Sequence, residues 1–354
     1  MLRKKANGAA ASPAPLEGER VSLKALAKAL GLAPATVSIV INRSPAGRSI
    51  PEKTRNRILA EAKRLNYRPS FVARSLRNQR SFTIGVVVPE ISEGYTALVM
   101  SGIEDYLLRE GYFYFVVSHR HRPDLVLEYP KILLERAVEG IIAVDTRCEN
   151  PVCVPVVSVS AHEEFPGVTN IILDHAWAAR AALKHLASLG HREIAFLKGQ
   201  DFSSDTEPRW NAIREAAAEL GLPLRPELTA QLTGDSSSPA LGYRATCQLL
   251  AADQPFTALF AFNDVSAIGA IRALREAGHR VPEDISVFGF DDIQSAAFQN
   301  PSLTTIRQPL RHMGEIAART LLERIARPGD TQYPKLITVK PELVIRESTA
   351  RAPR

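Results

Sequence analysis

The side chains best suited to hold a ligand fall just past apolar runs. Asn263-Asp264 follows Leu259-Phe260-Ala261-Phe262, and Asp291-Asp292 follows Val287-Phe288-Gly289-Phe290. Arg209-Trp210 opens a helical stretch after Ile194–Leu197, Ser160 follows Val156–Val159, and Ser92 and Tyr95 follow Thr83–Val88. An arginine fork set among carboxylate and amide oxygens suits a polyhydroxylated ligand, because each hydroxyl both donates and accepts. Tyr95, Trp210 and Phe290 offer faces on which a sugar ring can stack. The plainer role for Asp or Asn between a strand and a helix is an N-cap; that role is expected for Asp264 and Asp292, and a ligand role for Arg209 and Asp291. A second polar set, Thr36, Ser38 and Asn42, suits phosphate oxygens or base edges. Nothing points to catalysis. His185 and His191 bracket Leu186–Gly190 with no catalytic partner, and no Gly-rich phosphate motif, metal triplet or nucleophile elbow is present. No catalytic residue, metal or cofactor is expected.

These side chains need scaffolds, and the first is Val21–Leu76. Leu23, Leu26, Ala27 and Leu30 fall three and four apart, one face of a helix. Gly31 supplies a C-cap at which positive φ costs little. Pro34 suits the first turn of a second helix, whose apolar stripe is Val37, Val40 and Ile41. A third helix is expected over Pro51–Leu65, with Ile58, Leu59, Ala62 and Leu65 inward. Two short helices across a tight glycine turn make a helix-turn-helix, which lays its second helix in the DNA major groove; a bare helical hairpin shares the same turn. Charge separates the two readings. Residues 1–80 hold 17 Lys and Arg against 4 Asp and Glu, a net +13, whereas the whole chain is +6, so residues 81–354 carry −7. A basic front on an acidic body implies a polyanion partner for the front alone.

The order Ala35-Thr36-Val37-Ser38, Asn42, Asn66-Tyr67-Arg68-Pro69, Val72-Ala73-Arg74-Ser75-Leu76-Arg77 resembles the amino-terminal module of the lactose/galactose repressor (LacI/GalR) family. The resemblance continues over about residues 21–347. It implies that Pro34, Ala35 and Ile39 occupy base-reading positions, with Tyr67 and the hinge-helix residues Ala73 and Leu76 also at the DNA. Leu76 would wedge open a minor-groove step, and a hinge helix this short is too marginal to stand alone. Many relatives carry Arg where this chain has Ile39; its loss removes a bidentate guanine contact worth roughly 1–3 kcal/mol. Ile39 and Ala35 then meet thymine methyls, or Ile39 packs against its own module. In the core, the resemblance implies that Arg209, Asn263 and Asp291 contact an effector, while the positions of Asp264 and Asp292 serve structure. Two departures stand out: Ser236–Ser238 lie where many relatives place an aromatic platform, and Ser160 where many have Asp.

The core scaffold reads as alternating strands and helices. Thr83–Val88, Tyr112–Ser118, Gly140–Val144 and Val154–Ser158 are expected strands, with helices at Tyr95–Arg109 and Leu125–Arg136. The alternation restarts after Asn170 and runs through strands at Ile194–Leu197, Leu228–Leu232, Thr257–Phe262 and Ile285–Phe290. Leu303–Ile306 should cross back, and helix Leu310–Ile325 and strand Leu336–Val339 should complete the first sheet. Continuous apolar strands alternating with helices mean parallel sheets covered on both faces, and ligands sit at the carboxyl ends of such strands. The expected organisation is a disordered basic arm (1–20), a helix-turn-helix head (21–68), a hinge helix and linker (69–80) and a core (81–347). The core is a doubly wound, two-lobed, periplasmic-binding-protein-like (type I) α/β unit. Its first lobe is set at about 81–170 and 307–335, its second at about 171–306 and 336–347.

No apolar run approaches the roughly 18 residues that span a bilayer, and Ala6–Ser12 is too short and too weakly apolar for a signal-peptide core. Three cysteines without framework spacing fit a reducing compartment, so the expectation is a cytoplasmic protein. The reading that follows is a homodimeric regulator, a repressor in the family's manner, on a near-palindromic double-stranded DNA operator, controlled by a carbohydrate-like effector and bound to no membrane. A transport-type sugar-binding protein would share the core but leave the basic head without a purpose, and a sugar-modifying enzyme would need catalytic residues.

Overall fold

The computed structural model describes residues 21–42, 44–67, 80–91, 94–147, 152–235 and 237–353. Ser92, Ala73, Leu76, the arm 1–20 and nearly all of the expected hinge lie outside the described residues. The chain forms two compact units, divided after Ser81.

The first unit is a three-helix head: α1 (Leu23–Leu30), α2 (Pro34–Ile41) and α3 (Glu52–Arg64). Ser22 Oγ caps α1 by accepting from the Ala25 N–H at 3.1 Å. Gly31 ends it at φ +64°, where a side chain would be strained. Pro34 opens α2, and the two helices meet at 109°, within the helix-turn-helix range. Leu26, Ala27, Leu30, Val37, Val40, Ile58 and Ala62 form the core. Leu59, expected inward, is half exposed, because α3 turns Ile58 and Ala62 toward α1 and α2 instead. The Arg57 guanidinium donates to Leu30 O, so α3 also satisfies a carbonyl at the end of α1.

The second unit holds two six-stranded sheets. The first contains β1 (Thr83–Val88), β2 (Phe113–Ser118), β3 (Gly140–Val144), β4 (Val156–Val159), β5 (Val168–Leu173) and, arriving late in the chain, β11 (Leu336–Val339), in the order β11-β5-β4-β3-β1-β2 and all parallel. The second contains β6 (Ile194–Lys198), β7 (Thr229–Gln231), β8 (Ala258–Phe260), β9 (Ser286–Asp291), β10 (Thr304–Arg307) and β12 (Glu342–Val344), in the order β12-β10-β9-β8-β6-β7. Only the edge strand β12 runs antiparallel, against β10. The covering helices are α4 (Tyr95–Arg109), α5 (Pro123–Glu135), α6 (His175–Ser188), α7 (Thr206–Glu219), α8 (Pro239–Ala251), α9 (Asp264–Glu276) and α10 (Leu310–Ala326).

Two expectations need correction. β5 was not foreseen, because buried Asn170 interrupts its apolar run; its Nδ2 donates to Glu163 O at 2.8 Å, while Oδ1 is buried with no partner among the described residues. The lobe boundary at 336 also moves. β11 pairs with β5 in the first sheet, so the second lobe regains the chain only at β12. The His191 N–H donates to Leu186 O at 3.2 Å behind the Gly190 cap, and its ring bonds Ala350 O at 3.0 Å and Thr257 Oγ1 at 2.9 Å, fastening the C-terminal tail. Among the described residues no single helix is long and apolar enough to cross a membrane.

Glycines set how closely the helices of the first lobe pack. A methyl group on Gly102 of α4 would land 1.9 Å from Arg311 O of α10, and one on Gly314 would land 2.1 Å from Val99 O. Backbone cannot yield as a flexible side chain does, so Gly102→Ala should destabilise the core by about 1–3 kcal/mol through overpacking. Calorimetry should show a lowered core transition, and an unchanged melting temperature would refute the contact.

Candidate functional site

Strand ends and helix starts deliver the polar residues to a pocket between the two lobes. The first lobe contributes Glu90 after β1, Tyr95 and Thr96 at the start of α4, His121 after β2 and Asp145 after β3. The second contributes Gln200, Phe202 and Asp205 before α7, Arg209 within it, Ser237 before α8, Phe262 and Asn263 before α9, and Asp291 ending β9. Parallel strands all present carboxyl ends to the same side, which is why residues so distant in sequence converge.

Arg209 is the centre of this pocket and is only 3% exposed. Its Nη1 donates to Phe262 O at 2.6 Å and its Nη2 to Asp205 Oδ2 at 3.1 Å. The guanidinium carbon lies 3.8 Å from the Phe290 ring centroid and 4.4 Å from that of Phe262. Nε is buried with no acceptor among the described residues. Burial opposes the charge of Asp205, but hydrogen bonds from His162 and His175 and the charge of Arg209 outweigh it and hold the carboxyl well below its usual range. Asp291 behaves oppositely. Burial drives it up to about 7 although Arg209 and the Gln308 amide, donating at 2.6 Å, favour its charge. Burial also raises Asp145 to about 6, with Asp205 adding to the effect.

Several contacts join the lobes around the pocket, His162 with Asp205 among them. Asp145 accepts from the Ser204 N–H at 2.9 Å, the Ser237 N–H donates to Glu90 Oε1 at 2.8 Å, and His121 stacks on Phe202 with centroids 3.6 Å apart.

The expected residues divide accordingly. Tyr95, Arg209, Asn263 and Asp291 line the pocket. Asn263 also caps α9, accepting from the Ser266 N–H at 2.8 Å, so the ligand and capping roles coincide. Ser160 is fully buried and meets the pocket only through the Tyr95 hydroxyl, 2.6 Å away. Phe290 is fully buried beneath Arg209 and offers no face to a ligand. Trp210 does not line the pocket; one helical step turns it away from Arg209 and onto Phe196, centroids 5.6 Å apart. Asp264 bonds Thr305 Oγ1 and the Ile293 N–H, while Asp292 pairs with Arg307 and Arg346, so both brace the second sheet. Asp264 is thus the first residue of α9 and Asn263 its cap, where Asp264 itself was expected to cap.

Glu90, His121, Asp145, Phe202 and Asp205 were missed. Glu90 and Asp145 carried the same signal as the residues found, a polar group just past an apolar strand. His121 and Phe202 supply the aromatic surface that was absent from Ser236–Ser238. His162, His175 and Asp205, from three separate segments, come together with ligand-type atoms within 4.8 Å of one another, a grouping no sequence spacing announced. Their Asp205 oxygens already accept from both histidines, at 2.7 and 3.2 Å, and from Arg209, whose charge opposes a cation there. The group is a hydrogen-bonded support for Arg209.

In the head, the inward face of α2 is Val37, Ser38 and Val40. Ser38 is 6% exposed and receives the Asn42 side-chain N–H at 3.1 Å, so it faces away from the surface expected to meet DNA. Pro34 and Ala35 are exposed, Thr36, Ile39 and Asn42 partly so, and Tyr67 packs partly buried against the head's core.

A helix-turn-helix unit followed by a two-lobed ligand-binding unit defines a ligand-controlled DNA-binding regulator. A family described as periplasmic binding protein-like domain matches residues 183–349. The HTH-type transcriptional repressor PurR of Haemophilus influenzae is 34% identical over 339 residues, covering 92% of this chain and 98% of that protein. PurR of Aliivibrio fischeri is 34% identical over 339 residues, covering 93% and 98%. Among solved structures, the lac repressor dimer bound to operator and the anti-inducer ONPF superimposes with a TM-score of 0.82 at 27% identity, covering 94% of this chain and all of that one. The chain belongs to the LacI/GalR family of transcriptional regulators and is not an enzyme.

The raised Asp291 gives a test. Its carboxyl keeps a proton to about pH 7 when folded but loses it near 3.8 otherwise. Its contribution to stability is therefore intact below pH 4 and lost as pH rises toward 7. Asp291→Asn can still accept from Gln308, and it should raise the melting temperature at pH 8 by on the order of 2–4 °C per kcal/mol relieved. At pH 4 the gain should vanish. A difference independent of pH would show that Asp291 is charged throughout.

Proposed function

We propose that this chain acts as a homodimer in the cytoplasm, represses transcription from a near-palindromic operator, and is controlled by an uncharged, hydroxyl-rich carbohydrate in the interlobe pocket. Arg209 carries the effector reading. It is buried among Asp205, Asp291 and Asn263, within reach of ring faces at Tyr95, Phe202 and His121. Glu90, Asp145, Asp205 and Asp291 surround a single guanidinium that is already paired. A phosphate or carboxylate would meet net negative charge there, whereas hydroxyls can donate to the acids and accept from Arg209. Relatives support the class: CelR is solved with cellobiose, and a LacI-family regulator from Enterococcus faecium with ribose. The proposed DNA-facing residues are Pro34, Ala35, Thr36, Ile39 and Asn42, with Tyr67, Ala73 and Leu76 at the hinge.

The head's positive charge attracts phosphates irrespective of sequence. A dimer neutralising 6–10 phosphates should lose about 10³–10⁵ in operator affinity between 50 and 200 mM salt; a flat response in a gel-shift titration would remove the phosphate-driven reading. Leu76→Ala should weaken operator binding more than binding to unrelated DNA, and equal losses would argue against a wedge.

The deciding experiment is a thermal-shift series on the full chain with neutral, amino, phosphorylated and carboxylated sugars. A ligand at one hundred times its dissociation constant stabilises by about 2.7 kcal/mol. Neutral sugars should shift the transition and sugar phosphates should not. Arg209→Lys keeps the charge but cannot reach both Phe262 O and Asp205, and should weaken the shifting ligand by about tenfold or more. The ligand-free protein's operator affinity should stay the same. If Arg209→Lys responds as the wild type does, the pocket assignment is wrong.

A further inference from the structure

We infer that the head selects its half-site mainly through the C5 methyl groups of thymine, with Ile39 and Ala35 as the reading side chains. The inference rests on the DNA-binding reading and names the chemistry that reading leaves open.

α2 advances about 100° per residue. With Val37 and Val40 turned inward, at 0% and 5% exposure, the outward stripe is Ala35, Ile39 and Thr36. Two of these three have no hydrogen-bonding atom, and the third has one hydroxyl. The remaining polar side chains of this turn are engaged with each other, since Asn42 Nδ2 donates to Ser38 O at 2.8 Å and to Ser38 Oγ at 3.1 Å. Pro34 at the exposed start of the helix lacks even a backbone N–H. No residue of α2 is charged.

The major groove is rich in donors and acceptors, and the thymine methyl is its only apolar group. An isoleucine pressed onto guanine O6 and N7 or cytosine N4 would desolvate them without replacement, a cost paid by the wrong base pair. The same side chain over a thymine methyl removes apolar surface from water on both sides. Ile39 is also held in place. Its β-branched side chain has few rotamers in a helix, and its carbonyl accepts from the Ser44 N–H at 3.0 Å. Exposed basic residues outside α2, such as Arg48 and Lys53, are left to meet phosphates, which position the head without reading sequence.

The test starts with in-vitro selection of the full-length protein on a random, unmethylated DNA library, with and without a mixture of pentoses, hexoses, disaccharides and nucleobases. Each thymine of the enriched site is then replaced by deoxyuridine, which keeps every hydrogen-bonding group and loses only the methyl. The expected site carries T·A pairs at matching places in both half-sites. One replacement at a contacted position should cost about fourfold in affinity, the worth of one buried methylene-sized group, and a matched pair of replacements about fifteenfold. Ile39→Ala should erase the difference between thymine and deoxyuridine at its position, and Ile39→Arg should move the preferred base there to guanine. An enriched site that tolerates deoxyuridine at every thymine overturns the inference while leaving DNA binding standing. If no sequence is enriched under any condition, the DNA-binding reading fails, and this inference with it.

Discussion

A guanidinium enclosed between two lobes must be neutralised where it sits, and that requirement shapes the pocket of this protein. Arg209 meets it with one carboxylate, one backbone carbonyl and two aromatic faces. The support extends outward. His162 and His175 hold Asp205, and Gln308 holds Asp291. His175 stands where the chain leaves β5 for the second lobe, and Gln308 where it leaves β10 for α10. Two of the segments that pass between lobes are thus bonded to the acids beside Arg209. On the proposed effector reading, a ligand that redistributes hydrogen bonds at Arg209 and Asp291 would be felt at these crossing segments.

The lobes also touch through polar and aromatic contacts around the ligand space. Asp145 with Ser204, Glu90 with Ser237 and His121 on Phe202 draw on both sides of the cleft. Such contacts are individually weak next to the surrounding core, and a buried carboxylate such as Asp145 holds its charge reluctantly. An effector changes the balance between lobe arrangements only by as much as it prefers one of them.

In the head, charge lies outside α2, whose residues carry none and whose outward face is nearly apolar. Part of that charge is tied to the fold, since Arg57 donates to Leu30 O and Arg55 to Ile50 O; on the proposed reading, the exposed remainder attracts phosphates and α2 selects the bases.

Much of this was legible from residue order alone. Gly31 and Pro34 announced the turn because glycine takes the positive φ there without strain and proline suits a first helical turn, where its missing N–H would have no intrahelical partner anyway. The apolar runs announced parallel strands, since both faces are covered. Asn263 and Asp291 were found because strand ends in such sheets are where ligands go. The tertiary structure decided what short-range patterns cannot carry. Only packing turned Trp210 onto Phe196, set Phe290 beneath Arg209 and hid Ser160 behind Tyr95, because one helical step or one buried layer separates a ligand contact from its support. Only the fold brought His162, His175 and Asp205 together from three segments. Sequence fixes which groups a chain owns and the local periodicity that buries them; which groups face each other across a cleft is settled by long-range packing, where neighbours in space need not be neighbours in the chain.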